Sequence, residues 1–275
     1  MALGGVNVAA GNGITLNSVT ANGNIQLTAD SLSLTANPTS ITTAGNVSFA
    51  PYSASTTIGV AGGAGALQIS TSLLNDITAG SITIGGSGAS GVLTASSYSW
   101  AEPVTLLDGA GGINVNGIQT MGSNSFLAQT MGAGDITLGA SGGVTTSARN
   151  TAITLASGRN FINDAGSGAL SASSGRSLIY TMAPGDVVAG GLSEEFIRFS
   201  CSYGASCPGL PFTGNGLIYS SALPATVSKA FLYPSSPNAQ AQLGLSGPTD
   251  FANLITMDAR LAAEEASPFL SDAGQ

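Results

Sequence analysis

The stretch covering residues 58–98 has the sequence IGVAGGAGALQISTSLLNDITAGSITIGGSGASGVLTASSY. Short pieces that alternate apolar and polar residues are separated by Gly, Ser, Ala and Asn, and these pieces lie at 67–69, 77–78, 81–84 and 91–94. In an extended chain, alternate side chains point to the same face. The stretch therefore predicts short strands joined by turns, the pattern of stacked coils.

The same pattern begins near the amino terminus and returns later. Apolar-polar-apolar triplets, punctuated by glycine, lie at 6–8, 14–16, 25–27, 32–34 and 47–49. A four-residue phrase with Ile-Thr at its centre recurs at 13–16, 81–84, 135–138 and 152–155. Recurrence of one such unit is typical of a solenoid, in which each coil covers the apolar face of the next.

An antiparallel sandwich or barrel is the alternative architecture. It needs longer strands and hairpin turns, and Asn22-Gly23, Asp108-Gly109 and Asn116-Gly117 supply turns of that kind. The repeated phrase favours the parallel solenoid, with coils of about 20 to 30 residues that rise about 4.8 Å each. We expect its rod to cover residues 1–190 and further coils to precede it in the complete protein, because an open end exposes strand edges.

The residues after the rod differ in composition. Prolines and aromatic residues become frequent, which predicts a small β-rich cap over 191–233 with a loop between Cys201 and Cys207. These two cysteines are the only ones in the chain. Their closeness predicts a disulfide in an oxidising compartment, with two free thiols in a cytosolic protein as the alternative. Residues 234–275 are predicted as a linker and one amphipathic helix from 249 to about 266, which packs on the rod or serves a partner.

The overall composition excludes several classes of partner. The 275 residues carry a formal net charge of -8 with six basic residues, whereas nucleic acids and anionic membranes require clustered Lys and Arg. No run reaches the about 18 apolar residues of a membrane span. The first residues lack the basic start and apolar run of a signal peptide. We therefore expect any export signal to lie outside this chain.

Three groups of phrases point to a known family. The first covers 58–67 and 74–85; the second is GRNFINDAG at 158–166 with GRSLIYTMAP at 175–184; the third is GNGLIY at 214–219. The first resembles the repeat of filamentous-haemagglutinin-type exoproteins, which Gram-negative bacteria export by two-partner secretion. The second is similar to the phrase that closes the helical rod in that family, with Ser177 where a Trp is usual. The third resembles the segment after the rod.

The resemblance covers about residues 40–220. It implies a right-handed parallel β-helix that is exported to the bacterial cell surface and used as an adhesin or filament. It also implies an outer-membrane secretion partner for the full-length protein. The amino-terminal secretion domain of the family has no counterpart in these residues, so the chain resembles a carboxyl-terminal part of such an exoprotein.

Candidate catalytic residues are few because the chain has no histidine. Its absence removes Ser-His and Cys-His pairs and leaves two thiolates two ligands short of a structural zinc site. Aspartates recur at intervals close to one coil: Asp76, Asp108, Asp135, Asp164 and Asp186. Stacked carboxylates about 5 Å apart suit a polysaccharide-degrading enzyme, but turn-like surroundings favour capping of backbone amides. Trp100 is expected to cover a loop rather than a sugar.

Other ligand sites are not indicated. The Gly-rich segments lack the Asp of calcium-binding repeats and the Lys-Ser/Thr of a phosphate loop, and we expect Thr and Ser to be scattered between faces. We predict no cofactor, no metal and no catalysis. The favoured function is a structural or adhesive module of a secreted bacterial surface protein, which contacts host or neighbouring-cell glycans or proteins through many weak contacts. The polysaccharide-degrading enzyme is the alternative.

Overall fold

Short parallel strands stack in register through the described chain. The computed structural model describes residues 4–34 and 40–223, and in these ranges every strand pairing is parallel. The strands form a parallel β-solenoid of about nine turns. The predicted all-β, parallel β-helix class is therefore confirmed, and the antiparallel alternative is wrong. The predicted linker and helix, together with residues 224–233 of the predicted cap, lie outside the described residues.

The strands are labelled in chain order. The first eight are β1 (Val6–Ala10), β2 (Ile14–Leu16), β3 (Ser18–Ala21), β4 (Ile25–Ala29), β5 (Leu32–Leu34), β6 (Ser40–Thr43), β7 (Asn46–Ala50) and β8 (Ile58–Val60). The next eight are β9 (Leu67–Ile69), β10 (Ile77–Thr78), β11 (Ser81–Gly85), β12 (Leu93–Ala95), β13 (Tyr98–Ser99), β14 (Val104–Asp108), β15 (Ile113–Val115) and β16 (Ile118–Thr120). The last eight are β17 (Phe126–Thr130), β18 (Ile136–Leu138), β19 (Gly143–Ala156), β20 (Phe161–Asn163), β21 (Leu170–Thr181), β22 (Val187–Val188), β23 (Phe196–Arg198) and β24 (Gly216–Tyr219). The helix α1 (Thr71–Asn75) and a 3₁₀ turn (Pro184–Asp186) interrupt them.

Each coil contributes one strand to a main sheet and returns through shorter strands. The main sheet has the order β1-β4-β7-β11-β14-β17-β19-β21-β24-β23. A second sheet has the order β22-β20-β18-β15-β12-β8-β9. The third side of the rod consists of β3, β6 and β10, and further along of β13, β16 and the first halves of β19 and β21. Residues of successive coils therefore lie above one another.

Apolar side chains fill the interior of the rod in columns. One column of the main sheet contains Val47, Ile82, Val104, Phe126 and Ile153, all buried. A column of the second sheet contains Ile58, Leu93, Ile113, Ile136 and Phe161, also buried. Each buried side chain of this size stabilises the fold by about 1.5–3 kcal/mol. Stacking of coil on coil therefore stabilises strands too short to be stable alone.

One coil is longer than its neighbours because it carries insertions. Val47 and Ile82 are neighbours in the main sheet, and the coil between them is 35 residues long. The next coil, from Ile82 to its neighbour Val104, is 22 residues long. Within the long coil, β8 and β9 lie side by side, joined by the glycine-rich turn 61–66. Helix α1 follows, and the Oγ of Ser70 caps it by accepting a hydrogen bond from a first-turn amide (3.2 Å). Sequence analysis does not predict this helix, because five residues are too few to show a helical period.

A hydrogen-bonded amide lies inside the rod beside the sole tryptophan. The buried Gln119 donates to the carbonyls of Ser96 (2.8 Å) and Gly117 (3.0 Å). Its Oε1 accepts a hydrogen bond from the indole of Trp100 (2.9 Å). Trp100 is 5% exposed and lies edge-on to Tyr98, so its ring is not available to a ligand. Buried polar groups are tolerated where each finds such a partner.

A cap formed by residues 191–215 covers the outer face of the last strands of the main sheet. In earlier coils one outward column is mostly hydroxyl-bearing and contains Ser48, Thr83, Thr105 and Thr154. The next residue of this column, Leu178, is buried in a cluster with Phe196, Cys201 and Ile218. Leu127 of the same column is only partly buried, so the burial of Leu178 marks the place where the cap replaces water. Beyond β21 the main sheet continues into β24.

Candidate functional site

Four of the five aspartates lie at different places in their coils. Asp108 ends a strand of the main sheet and pairs in register with Thr130. Asp135 immediately precedes a strand of the second sheet, whereas Asp164 immediately follows one. Asp76 follows helix α1. The coils differ in length, so similar intervals in sequence do not give equivalent positions, and the ladder considered from the sequence is not formed.

Asp135 and Asp186 share one corner of the rod, two coils apart with Asn160 between them. Asp135 is paired with Arg159, whose Nη2 lies 2.6 Å from Oδ2 and whose Nε donates to Oδ1 (2.8 Å). The hydrogen bonds from Arg159 hold the pKa of Asp135 below its usual range. A general acid needs the opposite shift. This pair therefore fits a structural role at the turn.

Besides that of Glu102, burial raises the pKa of two other carboxyl groups. It raises the pKa of Asp108 to about 6; this side chain is fully buried and accepts a hydrogen bond from the amide of Gly112. It raises the pKa of Glu194 to about 7, beside a cavity of about 50 Å³ near the cap. Three coils separate these groups along the rod, about 14 Å at 4.8 Å per coil. A glycosidase pair requires about 5 to 10 Å.

A buried polar ladder follows the corner at which the main-sheet strands end. We call it the corner ladder; its members in four successive coils are Asp108, Thr130, Ser157 and Thr181, each less than 10% exposed. Thr130 donates to the carbonyl of Gly134 (2.7 Å), and Ser157 donates to that of Asn160 (2.6 Å). The hydroxyl of Thr181 is buried without a hydrogen-bond partner. Oδ1 of Asp108 likewise has no partner, so the ladder is satisfied in the middle and incomplete at both ends.

A surface groove of about 280 Å³ lies over the last members of the corner ladder. We call it the tyrosine groove; its lining includes Thr130, Met131, Ser157, Tyr180, Thr181, Met182, Ser202, Tyr203 and Ser220. The rings of Tyr180 and Tyr203 meet edge to face, with centroids 5.4 Å apart. Met131 and Met182 are 41% and 51% exposed. The groove thus combines apolar surfaces with hydroxyl groups, as small-molecule sites do.

The charge state of the tyrosine groove suits a neutral ligand. Its lining, within the described part of the chain, contains no charged side chain. Burial raises the pKa of Tyr180, although the nearby Arg176 acts in the opposite direction. The phenol of Tyr180 therefore stays protonated at neutral pH and can donate a hydrogen bond.

The disulfide loop of the cap positions one wall of the tyrosine groove. Cys201 and Cys207 form a disulfide with their Cα atoms 5.4 Å apart. Cys201 is 3% exposed and belongs to the apolar cluster on Leu178, which anchors one end of the loop on the main sheet. Tyr203 follows two residues later and is 39% exposed. The anchored loop holds its ring against Tyr180.

A line of exposed hydroxyl groups follows the third side of the rod. Seven successive coils contribute Thr20, Thr42, Thr78, Ser99, Thr120, Thr145 and Ser171, all exposed. The first three are aligned in register, as are the last four, so neighbours within each run are about 4.8 Å apart. The expectation that Thr and Ser are scattered is wrong on this side, because parallel strands in register align equivalent residues.

Neither a metal-binding cluster nor a membrane-spanning helix occurs in residues 4–34 and 40–223. No three acidic or cysteine side chains there lie close enough together to hold a metal ion. No helix of this part of the chain has the length and apolar character needed to cross a membrane.

Sequence analysis does not single out the tyrosine groove. Tyr180 lies in a phrase that resembles the end of the family's rod, and Tyr203 lies in the predicted cap. The rise in aromatic content after residue 190 is a signal that the cap carries exposed rings. The pairing of the two tyrosines depends on how the cap folds back on the sheet, which residue spacing does not specify.

Comparison with known proteins gives no relative from which a function could be transferred. No family model, curated protein or solved structure matches the chain.

Proposed function

We propose that this chain is a non-catalytic binding module of a secreted bacterial surface protein, and that its tyrosine groove binds a neutral glycan. The observation that carries this proposal is the Tyr180–Tyr203 pair in an uncharged groove whose lining also includes the exposed residues Ser202 and Ser220. Sugars offer C–H faces that pack on aromatic rings and hydroxyl groups that pair with Ser and Thr.

The proposed family is that of filamentous-haemagglutinin-type exoproteins, and the proposed location is the bacterial cell surface. The resembling phrases support a filamentous-haemagglutinin-type adhesin that passes through an outer-membrane secretion partner and attaches to host or neighbouring cells. The line of exposed hydroxyls supports attachment along the rod, because it repeats one weak contact group in seven coils. Linked weak contacts raise overall affinity without any single strong site.

The test is binding of the purified chain to an array of neutral and charged glycans, followed by calorimetry with the best neutral ligand. Tyr203→Ala should weaken that binding up to about tenfold, since one aromatic contact contributes about 0.5–1.5 kcal/mol. Tyr203→Phe should retain most of it. Tyr52→Ala is the matched control, because Tyr52 is 57% exposed at a distant coil.

Two outcomes would overturn the proposal. Equal affinity of the Tyr203→Ala and unchanged proteins would remove the groove from the binding reaction. Release of new reducing or unsaturated ends from a polysaccharide would show catalysis, and loss of that release in Asp135→Asn or Asp186→Asn would identify the shared corner as its site.

A further inference from the structure

A second groove of about 280 Å³ lies at the opposite corner, where the chain enters the last strands of the main sheet. We call it the arginine groove; its lining includes Arg149, Asn150, Ser174, Arg176, Phe212 and Thr213. It shares no lining residue with the tyrosine groove. The arginine groove lies at the middle of β19 and β21, where they turn into the main sheet, and the tyrosine groove lies at their carboxyl ends.

Strand register brings the two arginines together. Arg149 pairs with Ser174, and two residues later Thr151 pairs with Arg176. Between them Asn150 has a φ of 60°, in the left-handed region that Asn tolerates better than most residues. The pairing is irregular on both sides of this residue. Strand β19 thus bends at the corner and exposes the Arg149 side chain at the groove.

The two guanidinium groups differ in how firmly they are held. Arg176 donates from Nε to the hydroxyl of Thr151 (3.2 Å) and from Nη1 to the carbonyl of Pro211. A guanidinium has five N–H donors, so the Nη2 side of Arg176 stays available. The side chain of Arg149 is exposed and makes no hydrogen bond to another described residue. The groove therefore combines one fixed cation and one adaptable cation.

Among the described residues, no carboxylate forms an ion pair with Arg149 or Arg176. The ion pair between Arg159 and Asp135 involves neither of them. Glu195, next to this groove at Gly214, accepts a hydrogen bond from the amide of Asn215 (2.7 Å) and pairs with neither arginine. In a chain with a formal net charge of -8, two unpaired arginines in one groove form a local site for an anion.

An exposed aromatic ring completes the arginine groove. Phe212 is 95% exposed, the most exposed large apolar side chain among the described residues. Its loop is tied to the sheet through the hydrogen bond from Arg176 to Pro211. An apolar ring presented to water beside two cations can pack on the C–H face of a ligand while the guanidinium groups bind its acidic group.

We propose that the arginine groove binds the carboxylate of a uronic acid residue in an acidic glycan. Arginine matches the planar carboxylate with two parallel hydrogen bonds, and Asn150, Ser174 and Thr213 offer partners for sugar hydroxyls. An acidic peptide is the competing ligand that the test distinguishes, because the outer edge of β21 at residues 174–176 has no strand partner among the described residues.

This site is independent of the neutral-glycan site, so each can fail without the other. The test uses a short oligogalacturonate and its methyl ester, which has the same sugar rings without the negative charge. The unchanged chain should bind the acid, and the ester should bind at least about tenfold more weakly. Added NaCl should weaken binding of the acid, because exposed charges are screened.

Matched variants locate the binding. Arg149→Gln should weaken acid binding about tenfold without lowering the melting temperature, since Arg149 has no partner to lose. Phe212→Ala should weaken binding of the acid as well. Arg159→Gln removes the same charge at another corner and should leave binding unchanged, as should Tyr203→Ala.

The results separate the proposal from its competitors. Loss of acid binding in Arg149→Gln and Phe212→Ala, but not in Arg159→Gln, supports it. Equal binding of acid and ester, absence of binding, or an unaffected Arg149→Gln variant overturns it. Binding of a glutamate-rich peptide in place of the oligogalacturonate, abolished by Arg149→Gln, also overturns it and assigns the groove to acidic peptides.

Discussion

Tyr203 of the disulfide loop packs edge to face on Tyr180 of the last long strand, with ring centroids 5.4 Å apart. This contact joins the cap to the rod at the surface, whereas the cluster of Leu178, Phe196 and Cys201 joins them underneath. The buried cluster and the surface ring pair contribute differently to the structure. The buried cluster supplies most of the apolar burial, and the ring pair shapes the tyrosine groove.

Breaking the disulfide should loosen the groove before it unfolds the rod. Replacement of Cys201 and Cys207 by Ser removes a closed loop of seven residues, which lowers stability by about 2 kcal/mol in the chain-entropy model. We expect a lower melting temperature by circular dichroism and weaker binding of the neutral glycan. A reductant should reproduce both effects in the unchanged chain and have no effect on the double variant. Identical melting of oxidised and reduced protein would contradict the prediction.

Asp108 should make the rod less stable as the pH rises. Burial raises its folded-state pKa to about 6, above the value near 4 of an unfolded chain. Its contribution to stability is therefore complete below about pH 4 and is lost as the pH rises through 6. Asp108→Asn keeps the size and removes the charge, so it should stabilise the protein at pH 8 by about 1–3 kcal/mol.

Urea unfolding at several pH values measures this effect. The Asp108→Asn variant should show a flatter profile between pH 4 and 6, while a slope near pH 7 persists because burial raises the pKa of Glu194 to about 7. Asp164→Asn, at an exposed position, is the control and should leave the profile unchanged. An Asp108→Asn variant that is less stable than the unchanged chain at pH 8 contradicts the prediction.

Gln119 should matter through the tryptophan that it binds. Gln119→Leu removes the acceptor of the buried Trp100 indole, and an unpaired buried donor costs about 1–3 kcal/mol. Trp100 is the sole tryptophan, so the fluorescence emission of the protein reports directly on this site. We expect earlier urea unfolding and a changed emission maximum. Gln26→Leu, at an exposed outward position of the main sheet, should alter neither.

Gly216 should be required for seating the cap. A Cβ atom at this position would overlap the ring of Phe196, and overpacking of this kind costs about 1–3 kcal/mol. Gly216→Ala should therefore displace the cap, lower the melting temperature and weaken neutral-glycan binding. Gly168→Ala is the control, because a Cβ there meets nothing within 4 Å. Melting at an equal temperature in the two variants would show that the ring moves aside without cost.

Strand positions could be predicted because the solenoid repeats a local rule. The triplets at 6–8, 25–27 and 47–49 lie in β1, β4 and β7, since alternation alone determines which side chains point inward. The glycine-rich stretch 58–98 likewise contains the strands expected at 67–69 and 81–84. The sequence pattern did not predict the line of exposed hydroxyls, because that line depends on the register between strands. The register depends in turn on the length of each coil, which differs from coil to coil.

The candidate sites depend on contacts between residues far apart in sequence. Tyr180 and Tyr203 meet because the cap folds back over Leu178. Arg149 and Arg176 approach because β19 and β21 pair over the bend at Asn150. In both grooves the cap loop supplies the aromatic ring that rises from the sheet, and no periodic pattern encodes the path of that loop.

The sequence by itself determined a rod of short parallel strands, a change of amino-acid composition near residue 190 and a close pair of cysteines. It did so because alternation, composition and spacing are local properties. Only the tertiary structure decided which side chains share a surface. It placed four of the five aspartates at different points of their coils, enclosed Trp100, aligned the exposed hydroxyls and formed the two grooves. The physical reason is that register and cap placement follow from the packing of the whole coil, whose free energy depends on residues distant in the chain.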